Sequence, residues 1–311
     1  MEPISIPQIH DTPVSGVLEA LALRPDGTDR FVASSLPQLA KRIYGGQVIA
    51  QALLAGCATM ERNEGTVERP PHSLHAYFLR VGDHTKPVSL QVERLRDGRS
   101  FSARRIDALQ DGRVIMSMVA SFQLPQADLD AQEQMPAVAH PDDLEWSLHV
   151  LQRQGNPVAK YLGKTGAFEM RHVGSSLYED VTPVPDARQA VWLRPWAKLP
   201  TDMDQCVHRA LIAYVSDQFM LEPVLRANGL SWQTPQLAVA TLDHAMWFYR
   251  NINVNDWHLF VQSSPTTFGS RGLGLTKIFN EDGQLVAAAT QEGMLRMGSK
   301  GSWALPTPPV H

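Results

Sequence analysis

Hydrophobic positions along this chain fall into two kinds of run. Residues 48–60 (VIAQALLAGCATM) and 206–221 (CVHRALIAYVSDQFML) are apolar on nearly every side of a helical wheel, so each predicts a helix wrapped by other structure rather than one lying on a surface. Most of the remaining pattern is that of strands: β-branched and aromatic residues with turn signals between them. After the first helix come strand candidates at 72–80, 88–95, 100–109 and 113–123; after the second come 237–250, 257–263, 268–279 and 285–296. Asp97-Gly98, Asp111-Gly112 and Asp282-Gly283 punctuate these runs as tight turns. Residues 44–123 therefore predict one central helix followed by an antiparallel meander. The stretch 237–250 (LAVATLDHAMWFYR) is rather apolar on both faces and predicts one continuous, largely buried strand that carries Thr241 and Asp243 regardless.

Smaller elements complete the pattern. A helix is expected over 14–24 and strands over 29–34, 167–172 and 189–195. Residues 124–165 are rich in Pro, Asp, Gln and Glu and predict a surface linker with a short helix near 144–154.

The two halves overlay. Arg80 and Arg250 lie 170 residues apart, Gly112 and Gly283 lie 171 apart, and Phe101-x-x-Arg104 and Phe268-x-x-Arg271 lie 167 apart. Three landmarks in one order near one offset imply a duplicated unit. Two helix-in-sheet units joined edge to edge would cover each other's edge strands. The fold class is α+β, with units at 1–123 and 166–311 and the linker at 124–165.

Bulk properties narrow the function classes. The 311 residues are 43% hydrophobic with a net charge of −4, which points to neither nucleic acid nor an anionic membrane as partner. Neither a secretory signal, nor a run of the roughly 20 apolar residues a membrane helix needs, nor a peroxisomal address in the terminal PTPPVH is visible, so a cytoplasmic location is expected. Cys57 and Cys206 sit in apolar helical contexts and suit packed thiols rather than a disulfide frame. Neither G-x-S-x-G, HExxH nor CxxC occurs, Val158 breaks the phosphate-loop pattern that ends at Gly163-Lys164-Thr165, and the spacing of His72 and His75 puts them on opposite faces of a strand. No metal or cofactor is expected.

Candidate chemistry rests on a few polar residues in apolar settings. Asp217 stands late in the second buried helix, where a negative charge opposes the macrodipole; apolar neighbours suit a general base, and an ordinary solvent-facing Asp is the competing reading. Alternation places Gln291 on the buried face among Ala287, Ala289 and Gly293, either bonding backbone or facing a substrate or water. Thr241 is either an ordinary strand threonine or part of the same site. Alternation also puts Asp243 on the face of Thr241 and His244 on the other, where it reads as a core or cross-strand bonding histidine.

YGGQVIAQALLA, HSLHAYFLRVGD, ERLRDGRSFSARR, ASFQ, LIAYVSDQFML, ATLDHAMWFYR and QEGMLR together resemble the acyl-CoA thioesterase II family, the double hotdog thioesterases. The resemblance runs from about Val14 to Met297, and its departures are slight: Val81 and Asn251 stand where prolines are common. It implies a double hotdog fold, hydrolysis of acyl-CoA to fatty acid and CoA, and a catalytic trio at Asp217, Thr241 and Gln291. A single water held by the three, with Asp217 as base, would attack the thioester directly, and N–H groups at a helix N-terminus would stabilise the oxyanion. At the measured offsets Gln291 falls on Ala120 and Thr241 on Pro71 or Pro70, so one active site per chain is expected. Arg271, and the run Arg99, Arg104 and Arg105, are candidate CoA contacts, with a solvated rim as the alternative. A homo-oligomer is also expected. The rival readings are an enoyl-CoA hydratase of the same fold, which usually relies on an Asp–His pair, and a non-catalytic acyl-CoA-binding module.

Overall fold

The computed structural model describes residues 4–5, 13–38, 42–60, 68–127, 129–155, 159, 162–163, 165–177, 186–232 and 234–298. Val158 and Lys164, the C-terminal end on which the address reading rests, and all but Ile4 and Ser5 of the N-terminal stretch on which the leader reading rests lie outside them.

The first half contains α1 (Val14–Leu21), β1 (Arg24–Pro25), β2 (Arg30–Ala33), α2 (Gly45–Ala58), β3 (Pro71–Phe78), β4 (Val88–Asp97), β5 (Phe101–Gln110) and β6 (Arg113–Gln123). A connecting helix α3 (Ser147–Arg153) follows. The second half contains β7 (Phe168–Val173), β8 (Arg188–Pro195), α4 (Gln205–Ser216), α5 (Glu222–Ala227), β9 (Leu237–Thr241), β10 (Asp243–Phe248), β11 (His258–Phe268), β12 (Arg271–Asn280) and β13 (Leu285–Met297). All described strands form one antiparallel sheet in the order β1-β2-β4-β5-β6-β3-β10-β13-β12-β11-β8-β7, with β9 also on β13. Either side of the β3–β10 junction the order is the same read outwards, so the two halves are related by a pseudo-twofold at that junction. Its register agrees: Tyr77 pairs Asp243 and Ser73 pairs Trp247. This is the double hotdog arrangement. Within each half, however, the first long strand lies beside the last one, β3 beside β6 and β10 beside β13, so the expected simple meander is corrected. That swap brings the two first strands to the centre, where each covers the other's edge.

Helices α2 and α4 are enclosed. Every residue of α2 from Gly46 and of α4 from Cys206 is buried, which accounts for their lack of a polar face. The helix expected over 206–221 stops at Ser216, and the short α5, which the sequence pattern did not predict, packs on β8, β11 and β12. The segment after β6 is strapped to the second half: Gln132 bonds the backbone of Gly283 and Leu285 at 2.8 and 2.9 Å, and Trp192 Nε1 donates to Ala139 O at 3.0 Å.

Two corrections come from the hairpins. Asp111 and Gly112 both take positive φ, at 49° and 72°, giving the primed turn that the Asp-Gly pair predicts. Gly269 and Ser270 do the same, both at 60°, with Phe268 paired to Arg271 across them. Phe268 therefore ends β11 instead of starting β12. By register Arg271 matches Phe101, not Arg104: the two strand pairs superpose at an offset of 170 on one strand and 171 on the other, with Arg271 opposite Met294 and Phe101 opposite Gln123. The Phe-x-x-Arg landmark is a coincidence of spelling, and the other two landmarks are structural.

The expected single strand over 237–250 is also corrected. It divides at Leu242: Thr241 pairs Gly293 and Ala245 pairs Thr290, so one strand spends four steps where the other spends three. This is a β-bulge. Leu242 N still donates to Glu292 O at 2.9 Å, and the Asp243 carboxylate takes the N–H of Glu292 at 3.0 Å. The strand is half-buried over Leu237–Thr241, less enclosed than its composition suggests. A matching register shift in β3, between Pro71 and Ser73, means that the opposite-face reading of His72 and His75 cannot be counted across it.

His208, His244 and His258 are 3%, 0% and 1% exposed, and burial lowers each from the usual histidine range, His258 to about 4. Because the folded values lie below the unfolded value of about 6.5, the unfolded state binds protons first as pH falls. Urea unfolding is expected to show full stability above about pH 6.5 and a declining midpoint towards pH 4, at up to about 1.4 kcal/mol per pH unit for each histidine. An unchanged midpoint between pH 7.5 and 5 would count against this burial cost.

Candidate active site

Asp217 follows the last residue of α4, where its own helix offers it nothing favourable. Its partner is the start of α2 in the other half. Tyr44 is the N-cap of α2 but gives it no side-chain cap, and Asp217 Oδ2 accepts the Gly46 N–H at 2.8 Å instead. A carboxylate from one half thus caps the helix of the other. The close approach needs glycine: a Cβ on Gly46 would stand 2.1 Å from Tyr214 O, and one on Gly45 would stand 2.7 Å from Asp217 Oδ2. Tyr44 closes the same corner, its hydroxyl donating to Tyr214 O at 2.6 Å.

The other carboxylate oxygen leads into the sheet. Thr241 Oγ1 donates to Asp217 Oδ1 at 3.0 Å, and Gln291 Nε2 donates to Thr241 Oγ1 at 3.0 Å. The three predicted site residues are therefore joined in a row, drawn from α4's end, β9 and β13. His244, on β10, extends the row: its Nδ1 lies 2.8 Å from Gln291 Oε1. Uninterrupted alternation would separate Thr241 from His244. The bulge at Leu242 inserts one residue between them and turns both towards Gln291. The sequence pattern named His244 a bonding histidine but gave it the wrong face, because a bulge leaves no mark in residue periodicity.

Gln291 is 1% exposed, while Asp217 and Thr241 are partly open. Thr241 and Gly45 line a cavity of about 410 Å³ together with Val48, Phe78, Met116 and the exposed Arg42. A second cavity of about 400 Å³, lined by Val17, Leu36, Phe168 and Tyr214, lies on the other side of Tyr44. Arg271 is not brought to this site. It pairs with Glu292 at 3.1 Å, and Glu292 alternates with Gln291, so both sit on the opposite face of the sheet. Arg104 is corrected outright as a CoA contact: it is 1% exposed.

Arg104 belongs to the counterpart of this site in the first half. Thr241 opposite Gly293 matches Pro71 opposite Phe122, and Gly274 opposite Gln291 matches Arg104 opposite Ala120. His244 likewise matches Leu74. Where Gly274 lies so close to Met220 O that a Cβ would come within 2.1 Å, the first half puts a guanidinium. It donates to Thr59 Oγ1 at 2.8 Å, to Ala103 O at 2.9 Å and to Asp97 at 2.7 Å. Among the described residues of the first half, Pro71, Leu74 and Ala120 stand where the row would be, and Arg104 fills the place of Gly274.

A family model described as acyl-CoA thioesterase matches residues 183–294, and one described as acyl-CoA thioesterase N-terminal domain matches 32–123. Acyl-CoA thioesterase 2 of Haemophilus influenzae is 35% identical over 260 residues, 82% of this chain and 88% of that protein. This chain belongs to the acyl-CoA thioesterase family. The human acyl-coenzyme A thioesterase 8 is 32% identical over 90% of this chain and 89% of its own. A solved structure, acyl-CoA thioesterase II TesB2 from Mycobacterium marinum, is 37% identical with a TM-score of 0.72, covering 91% of this enzyme and 99% of that chain. As a member of this family the chain is a hydrolase.

Gly46→Ala separates two effects. Helix propensity alone makes alanine stabilising by up to about 1 kcal/mol, whereas the contact with Tyr214 O demands displacement, costing about 1–3 kcal/mol. A lower melting temperature with reduced turnover is expected; a rise in both would refute the capping geometry.

Proposed function

We propose that this chain hydrolyses fatty acyl-CoA to free fatty acid and CoA, using one water held by Asp217, Thr241 and Gln291. The observation that carries this is the unbroken row Gln291–Thr241–Asp217 beside a cavity, in a chain of this family. Asp217, ionised, accepts a proton from the water as its oxygen bonds to the thioester carbonyl carbon. The tetrahedral intermediate then expels the CoA thiolate as the C–S bond breaks, and the proton on Asp217 passes to sulfur. Each partner has capacity to spare. Thr241 spends its one hydrogen on Asp217, and Gln291 uses one of two amide hydrogens on Thr241, leaving the second for the water or the carbonyl oxygen. At the start of α2 the Gly46 N–H is spent on the base and does not serve the oxyanion. It fixes the carboxylate before substrate arrives.

The catalytic centre belongs to the later unit, 166–311, and the unit 1–123 supplies the capping helix and the cavity wall at Val48, Phe78 and Met116. The exposed Arg42 on that cavity suits the phosphates of CoA. A hydratase reading asks for an Asp–His pair; His244 bonds Gln291 instead.

Thiol release from acyl-CoA of graded chain length, followed with a disulfide chromogen, tests this reading. Asp217→Asn is expected to lower kcat about 10²–10⁴-fold with little change in KM. Near-normal turnover would overturn the assignment, and release of no thiol by the unmodified enzyme would overturn the activity. Calorimetric titration with a non-hydrolysable acyl-CoA thioether is expected to give one site per chain; two equal sites would contradict a silent first half.

A further inference from the structure

We infer that His244 is a positioning residue that sets the direction of the hydrogen bonds reaching Asp217. This rests on the proposed role of the Asp217, Thr241 and Gln291 row. The directions follow from Asp217. An ionised carboxylate only accepts, so Thr241 must give it its single hydrogen and can only accept from Gln291. Gln291 must then turn Nε2 to Thr241 and Oε1 the other way. The group waiting there at 2.8 Å is His244 Nδ1, which must carry the hydrogen.

An amide can also be turned over. With Oε1 facing Thr241, the threonine hydrogen has a second acceptor and can leave Asp217. The reversed row is closed and self-consistent if His244 is the Nε2–H tautomer: Nδ1 then accepts from Gln291, and Nε2 donates to Ser216 Oγ, whose own hydrogen goes to Ala213 O at 2.9 Å. The two tautomers of one ring are therefore two settings of the row. Geometry favours the productive one: the 2.8 Å contact with Gln291 is made in either setting, whereas only the reversed setting must place the ring hydrogen across the longer 3.4 Å contact to Ser216. Burial lowers the pKa of His244, against the opposing pull of Asp217, and this keeps the ring neutral with a single N–H to assign. The ring is fully buried and touches neither cavity, so it acts on the substrate only through Gln291. The first half, which lacks the row, has Leu74 at this position.

The test compares His244→Asn with His244→Asp in the full-length enzyme. The two side chains have one shape, but the amide can donate where Nδ1 does and the ionised carboxylate cannot. His244→Asn is expected to keep kcat within about threefold of the parent, while His244→Asp and His244→Leu lose about ten- to a hundredfold in kcat with KM within about threefold. Equal loss in all three, or no loss in any, overturns the inference. Because a buried carboxylate carries its own desolvation cost, the deciding comparison is His244→Asn against His244→Leu, two neutral side chains of similar size of which only the amide can donate to Gln291 Oε1, with their melting temperatures measured alongside. If a variant does not fold, nitrogen-15 NMR of the parent enzyme decides the point directly: a protonated Nδ1 supports the inference and a protonated Nε2 overturns it. Failure of the proposed function reads differently, as absent thiol release in the parent or full turnover in Asp217→Asn.

Discussion

The contact between the Asp217 carboxylate and the Gly46 N–H holds this arrangement together. It joins two helix ends of opposite polarity. At the end of α4 a negative charge is out of place, and at the start of α2 the backbone N–H groups lack a cap of their own. Bringing the two ends together removes both costs, with caps and end charges each worth about 1 kcal/mol. It also fixes the carboxylate in one rotamer with its second oxygen facing Thr241. The row thus needs both halves even though Asp217, Thr241 and Gln291 all come from the later one.

Helix α2 is served at its other end by the opposite charge. Arg104 reaches Thr59, the C-cap of α2, and donates to its hydroxyl and its carbonyl. An anion at the start and a cation at the end both complement the macrodipole. Under the pseudo-twofold Gly274, which lies against Met220 O, stands in one half where Arg104, bonded to Thr59, stands in the other. One half carries the row Gln291–Thr241–Asp217, which reaches a cavity at Thr241. The other fills the place of Gly274 with a guanidinium whose hydrogens go to protein oxygens.

Much of this was legible in the residues. The two all-round apolar runs gave the enclosed helices, the Asp-Gly pairs gave the turns, and the offset of 170 gave the duplication. Asp217 stood out because its charge contradicted its place in the helix, and Gln291 because an amide sat among small buried residues. Strand order was not legible, since periodicity says which residues form a strand and nothing about its neighbour. The Phe-x-x-Arg match failed because identical spelling does not imply identical register. His244 was placed on the wrong face for a related reason: alternation holds only along an unbroken ladder, and the extra residue at Leu242 reverses it.

That extra residue occurs in both halves. The register shift in β3 between Pro71 and Ser73 matches the one at Leu242, so the bulge is part of the shared backbone and not a device confined to the polar site. In the first half the bulge presents Pro71 and Leu74 inward, and the result is core. In the second it presents Thr241 and His244, and the result is a row of hydrogen bonds that ends on a carboxylate. The backbone supplies the convergence of two side chains on a third across the sheet. Four substitutions on that scaffold, at Pro71, Leu74, Arg104 and Ala120 relative to Thr241, His244, Gly274 and Gln291, separate a packed interior from a row of hydrogen bonds that meets a cavity at Thr241.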